Sequence, residues 1–125
     1  MRIRLLTVFF LLSAAAAPLA ADARSDAKKQ VEFGIAVAQR GLWREAIYRW
    51  ERASQIDPKY AEALNNLAIA YEHEGDLEKA RVAYEKALEL EPNNALIKQN
   101  YELFKEINDR TTRKDSQDAP DPDTQ

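Results

Sequence analysis

The chain has 125 residues, 46% of them apolar, a formal net charge of −3 and no cysteine. That length allows one domain with a sizeable core. The missing cysteines exclude a disulfide-stapled scaffold, and the mild acidity speaks against a phosphate backbone as partner, so no nucleic acid is expected.

Residues 1–23 read MRIRLLTVFFLLSAAAAPLAADA. Arg2 and Arg4 form a basic head, Leu5 to Leu12 an apolar centre broken only by Thr7, and an alanine-rich run with Pro18 follows. Ala21-Asp22-Ala23 is a small-x-small cleavage site, with Leu19-Ala20-Ala21 as a neighbouring alternative. These features predict a secretory signal peptide cleaved near Ala23 or Ala21. The apolar centre is shorter than the ~20 residues of a membrane span, which ranks an uncleaved anchor second. The expected mature protein is periplasmic or secreted, with no membrane span.

The next segment predicts a helix over about Asp26 to Arg40. Val31, Phe33, Ile35 and Val37 alternate as in a strand, but Ala36 and Ala38 favour helix. On a helix, Phe33, Gly34 and Val37 face the core, while Val31, Ile35 and Ala38 make a second apolar stripe. A helix apolar on two faces is expected to be covered on both. Leu42 to Ile56 predicts a second helix whose Trp43, Ala46, Ile47, Trp50, Ala53 and Ile56 enter the core. Asp57-Pro58 ends it.

From Ala61 to Asn94 the pattern recurs more clearly. Leu64, Leu67, Ala68 and Tyr71 fall at i, i+3, i+4 and i+7, one apolar stripe of a helix. Gly75-Asp76 interrupts it, glycine supplying the left-handed conformation that commonly ends a helix. Leu77, Ala80, Tyr84, Ala87 and Leu88 form the stripe of a second helix, which Pro92 closes. Small residues alternate with large ones, so the two helices can approach to roughly 8–10 Å. Residues 27–60 are a weaker copy of residues 61–94.

The spacing resembles the tetratricopeptide repeat, with its signature W-x2-L-G-x2-Y, then A-x3-F, then P. Leu64-x2-Leu67-Ala68-x2-Tyr71, Ala80-x3-Tyr84 and Pro92 match it, as do Gln30-x2-Phe33-Gly34-x2-Val37, Ala46-x3-Trp50 and Pro58. Gln30 and Leu64 depart from it at the tryptophan position, and Val37 at the tyrosine. The resemblance implies an all-α fold of antiparallel helix pairs: two repeats, 27–60 and 61–94, plus a terminal helix. That capping helix is expected over Ala95 to Arg110, after an Asn93-Asn94 cap. Glu102 falls where Gly34 and Ala68 lie, and a glutamate there blocks a further helix. Thr111 to Gln125, with one alanine as its only apolar residue, is expected to be disordered.

Chemistry is sparse. The single histidine, His73, lies between Glu72 and Glu74, but neighbouring residues diverge on a helix surface and no second imidazole is available. A solvated or groove-lining histidine is the expectation. No zinc spacing, glycine-rich phosphate loop or nucleophile arrangement is present, so neither catalysis nor a metal or cofactor is expected. The resemblance instead implies an interaction module that takes a peptide or helix in a concave groove built by the first helix of each repeat. Carried onto this sequence, that groove comprises Lys28, Val31, Ile35, Ala38 and Gln39, then Glu62, Asn65, Asn66, Ile69, Glu72 and His73, then Leu96, Asn100 and Leu103. The carboxylate clamp of some family members is absent, because Val31, Ile35, Leu96 and Asn100 occupy its positions. What remains is an apolar strip of Val31, Ile35, Ile69 and Leu103 with an acidic and amide rim, suited to an apolar segment or amphipathic helix. The expected partner is another exported or envelope protein. The alternative is self-association: about three repeats are usually needed for stability, so the strip could join copies into a structural homo-oligomer.

Overall fold

The computed structural model describes residues 16–117, which form five α-helices and no strand: α1 Ala16–Ala38, α2 Trp43–Ile56, α3 Ala61–His73, α4 Leu77–Leu90 and α5 Ala95–Gln117. Successive helices pack antiparallel, as α1 on α2 and α3 on α4, with α5 closing the stack against α4. The turns explain the sharp reversals. Gly41 and Gly75 both have φ of 79°, the left-handed region, in otherwise open surroundings. Conformation, not space, requires glycine at these two positions. Asp76 then accepts the Lys79 backbone N–H at 3.3 Å, and Asn94 Oδ1 accepts those of Leu96 and Ile97 at 3.1 and 3.2 Å, capping α4 and α5.

Small residues set the helix separations. A Cβ on Gly34 would meet the Trp50 indole at 2.3 Å, so only glycine lets α2 lay its tryptophan against α1. The indole N–H donates to the Val31 carbonyl at 3.1 Å. In the second pair, Ala68, Ala80, Ala83 and Ala87 are buried. Between α4 and α5 the contact is aromatic: Tyr84, Tyr101 and Phe104 pack with ring centroids 5.5 to 6.1 Å apart. Tyrosine hydroxyls tie neighbouring helices together, Tyr71 to Glu51 at 2.8 Å, Tyr101 to Glu85 at 2.9 Å, and Tyr84 to Glu72.

The two ends of the stack differ. On α3 the residues turned toward α2 are Ala63, Leu67 and Ala70, and on α5 those turned toward α4 are Ile97, Tyr101 and Phe104. The α1 counterparts are Lys29, Phe33 and Ala36, which no described helix covers. Phe33 is 48% exposed. It was expected in the core; it lies instead at the open end, with the Arg49 guanidinium 4.1 Å above its ring. At the other end, α5 presents Lys98, Glu102 and Lys105 where α3 presents Leu64, Ala68 and Tyr71. Lys105 pairs with Glu102 at 2.8 Å, leaving a solvated surface.

Both terminal helices are longer than their periodicity predicts. The expected leader, residues 1–23, lies outside the described residues as far as residue 15; residues 16–23 form the first turns of α1, where Leu19 is 74% exposed. The anchor of α1 is Arg24, which binds Asp57, reaches the Lys59 carbonyl at 3.3 Å and lies 4.6 Å over the Tyr60 ring. At the far end α5 runs past Arg110 to Gln117, so residues 111–117 are helical and 118–125 lie outside the described residues. Local bonds carry the extension: Arg110 pairs with Glu106, Thr111 Oγ1 donates to the Ile107 carbonyl at 3.0 Å, and Lys114 stands in the last turn, where a cation suits the dipole. No described helix is long and apolar enough to cross a membrane.

Candidate interaction groove

The first helix of each repeat supplies one aliphatic residue at the same register: Ile35 on α1, Ile69 on α3 and Leu103 on α5. All three are exposed, Ile35 at 37% and Ile69 at 38%. Between the first two lies a cleft of about 280 Å³, lined by Ile35, Ala38, Gln39, Trp43, Trp50, Asn66 and Ile69. Three helices build it. The last turn of α1 forms one wall and the middle of α3 the other. The floor is α2, which brings Trp43 back over the end of α1 because Gly41 reverses the chain just before it.

His73 closes one edge. Its ring stacks on Trp43 with centroids 4.1 Å apart and planes 21° apart, and its Nδ1 is 3.8 Å from a Glu74 carboxylate oxygen. The stack holds the partly buried indole in place at the lip. Among the described residues no group of three or more metal-ligating side chains comes together, and no buried side-chain polar atom lacks a hydrogen-bond partner.

The structure divides the expected groove residues. Ile35, Ala38, Gln39, Asn66 and Ile69 line the cleft, with His73 at its edge. Val31 does not: it is 2% exposed, packed in the core beneath Trp50, whose bond to its carbonyl holds that part of α1 inward. Asn65 is buried as well, and its side-chain oxygen accepts from Asn100 Nδ2 at 3.0 Å, a tie between α3 and α5. Glu72 accepts the Tyr84 hydroxyl, so its carboxylate is committed to the α3–α4 pair. Leu103 is exposed farther along the same face, on α5, and Leu96 with it. Trp43, expected in the core, is partly buried against it and also lines the cleft, because as the first residue of α2 it stands at the edge of the packed centre of the pair. The signal for this was its position two residues after Gly41.

A second cleft of about 300 Å³ lies between α2, α3 and α4, over Leu64, Leu67, Tyr71 and Val82. Its mouth carries Glu51, Glu78, Lys79 and Lys86, and Tyr71 is held there by Glu51 and by Lys79, 5.6 Å from its ring.

Comparisons with known proteins agree with this architecture. Residues 61–94 match the family described as the tetratricopeptide repeat, and residues 34–75 match a family described as the TPR repeat. The chain is 53% identical over 45 residues to the uncharacterized protein ycf37 of Pyropia yezoensis, covering 36% of this chain and 25% of that protein. Over 84 residues it is 32% identical to the small glutamine-rich tetratricopeptide repeat-containing protein 2 of Mycosarcoma maydis, covering 67% and 24% respectively. Over 89 residues it is 32% identical to the type IV pilus assembly protein PilF of Pseudomonas aeruginosa, covering 70% and 35%. The chain thus spans about a quarter to a third of the length of these relatives. In register, turns and packing, residues 34–94 are repeats of the tetratricopeptide family, a fold that supports a protein–protein interaction module.

Proposed function

We propose that the protein is an adaptor that takes an apolar segment or amphipathic helix of another protein on the face built by α1, α3 and α5. The observation that carries this is the exposure of Ile35 and Ile69 on the two walls of a cleft floored by Trp43 and Trp50. Folding leaves these large apolar groups in contact with water, and each fully buried aliphatic side chain contributes about 1.5–3 kcal/mol relative to leaving it exposed. A partner that covers both recovers part of that. The site of action is the bacterial cell envelope. Its support is the leader-like sequence of residues 1–23, together with the similarity to a protein named for type IV pilus assembly. Arg24, the residue after the expected cleavage position, is where α1 is first clamped to the fold. The repeat family works as a non-catalytic scaffold, and an adaptor role uses it in that way.

The test is a photo-crosslinking side chain at Ile69 in living cells, compared with a double Ile35→Asp, Ile69→Asp variant. The adaptor reading expects a crosslink to another envelope protein, and loss of that partner in the double variant with its melting curve unchanged. A crosslink only to a second copy, with mass and stability both lost in the double variant, instead establishes a homo-oligomer. Phe33 at the open end of the stack favours that second reading. If the double variant binds its partners unchanged, the cleft is not the working surface.

A further inference from the structure

The open end of the stack is symmetric about one residue. Along the outer stripe of α1, Asp26, Lys29, Phe33, Ala36 and Arg40 are all exposed, and all follow the expected cleavage position. Asp26 and Arg40 each stand seven residues from Phe33, close to two helical turns, so they flank its ring at equal distances on the same side. Arg40 is just past the end of α1, but the turn that carries it still bonds back to the helix, its N–H donating to the Val37 carbonyl at 3.1 Å. The neighbouring charges are already engaged. Lys29 pairs with Asp26 along the helix at 2.8 Å, and Arg49, over the Phe33 ring, pairs with Glu45 at 2.8 Å. Arg44 borders a separate cleft with Glu45 and Glu74, and Lys28 and Glu32 lie round the helix, off this stripe. Among the described residues no carboxylate reaches the Arg40 side chain.

The fold itself limits what can cover this face. Leu67, the α3 counterpart of Phe33, is 4% exposed because α2 lies over it. The far end of a second copy cannot do the same for Phe33. It presents Lys98, Glu102 and Lys105, and head-to-tail stacking would set those charges against an aromatic ring and strip their water. A two-fold axis at Phe33 has no such cost. It runs two α1 helices antiparallel, brings the Phe33 rings together and sets Lys29 beside Ala36 of the second copy. Asp26 of each copy then meets Arg40 of the other, at both ends of the contact.

We propose that the protein forms a closed head-to-head homodimer through this outer face of α1, about a two-fold axis at Phe33, with Tyr48 and Arg49 of α2 at its sides. Tyr48 is 52% exposed there. The apolar contact supplies the affinity, and the two Asp26–Arg40 pairs fix the register. At 1.5 Å per residue the stretch from Arg24 to Arg40 is about 25 Å long, the small end of specific interfaces, so the dimer is reversible. Ile35 lies on the opposite side of α1 from Phe33, so the dimer carries two grooves and blocks neither.

The test is sedimentation equilibrium of the full-length chain and of two single variants, Asp26→Arg and Arg40→Asp. The unaltered chain is expected at twice the monomer mass in the micromolar range. Exposed ion pairs add little affinity, but like charges set opposite one another repel, so each reversal should return the chain to monomer mass with its helical circular dichroism unchanged. Mixed in equal amounts, the two monomeric variants should recover the dimer mass, because every contact then joins an arginine to an aspartate. The double variant should dimerise alone, and Phe33→Glu should not. Ile69→Asp, in the groove, should leave the dimer whole. A monomeric unaltered chain, or a folded mixture of the two variants that stays monomeric, overturns the proposal. A dimer that survives both single reversals also overturns it, and its loss in Ile69→Asp would move self-association to the groove.

Discussion

Gly34 and Trp50 are the tightest fit in the molecule. A methyl group at position 34 has no room beside the indole, so Gly34→Ala must push Trp50 away and break its bond to the Val31 carbonyl. The expected cost is about 1–3 kcal/mol, the usual range for overpacking a core, measured as a lower urea midpoint. The movement also disturbs the floor of the cleft, which Trp50 lines. The tyrosines give a pH dependence whose sign follows from their surroundings. Burial, then a glutamate acceptor, raises the hydroxyls of Tyr71, Tyr84 and Tyr101, and that of Tyr60 is pushed up to about 12. Their folded values lie above their unfolded ones, so their contribution is complete below about pH 10 and is lost as pH rises beyond it. Asp57 has the opposite sense: the Arg24 guanidinium holds its carboxyl below the usual carboxylate value, so that contribution is present near neutrality and is lost in acid. Denaturant midpoints measured across pH should fall at both ends, and Arg24→Ala should remove part of the acid limb.

At the scale of helices, the pairs are legible in sequence because apolar spacing, turn glycine and closing proline repeat in phase; two copies of one local rule leave one arrangement. Less legible is which side of a helix has a neighbour. Val31 and Ile35 belong to one apolar stripe, yet Val31 is core and Ile35 is surface, because the Trp50 indole comes from another helix to cover only the first. Phe33 fits the repeat pattern as a core residue and is half exposed, since the pattern assumes a preceding helix. Asn65 reads as a polar groove residue; its partner Asn100 is one helix pair away and is invisible to local spacing. The α5 helix stabilises what precedes it through Ile97, Tyr101 and Phe104 against Tyr84. Ending the chain at Asn94 strips that cover from α4. The expected outcome is loss of a cooperative melt, with exposed aromatic surface read by dye binding. A milder probe is Asp76→Ala, which removes the cap of α4 and should cost about 1 kcal/mol.

For the whole molecule, stability in such a stack is approximately a sum of helix-pair terms and nearest-neighbour interfaces, and here the two outer surfaces are unlike. One ends in Phe33 and Ala36, the other in Lys98, Glu102 and Lys105. The array therefore has a direction of growth. A helix pair of the same register fused ahead of residue 27 has a surface to seat on, and the melting temperature should rise with the added interface. The same pair fused behind α5 should melt separately from the rest. Lys98→Leu, Glu102→Ala and Lys105→Tyr, which copy the α3 surface, should convert that second fusion into a single cooperative unit. An interaction surface on α1, α3 and α5 could then be lengthened from one side only, as a ruler with a fixed zero.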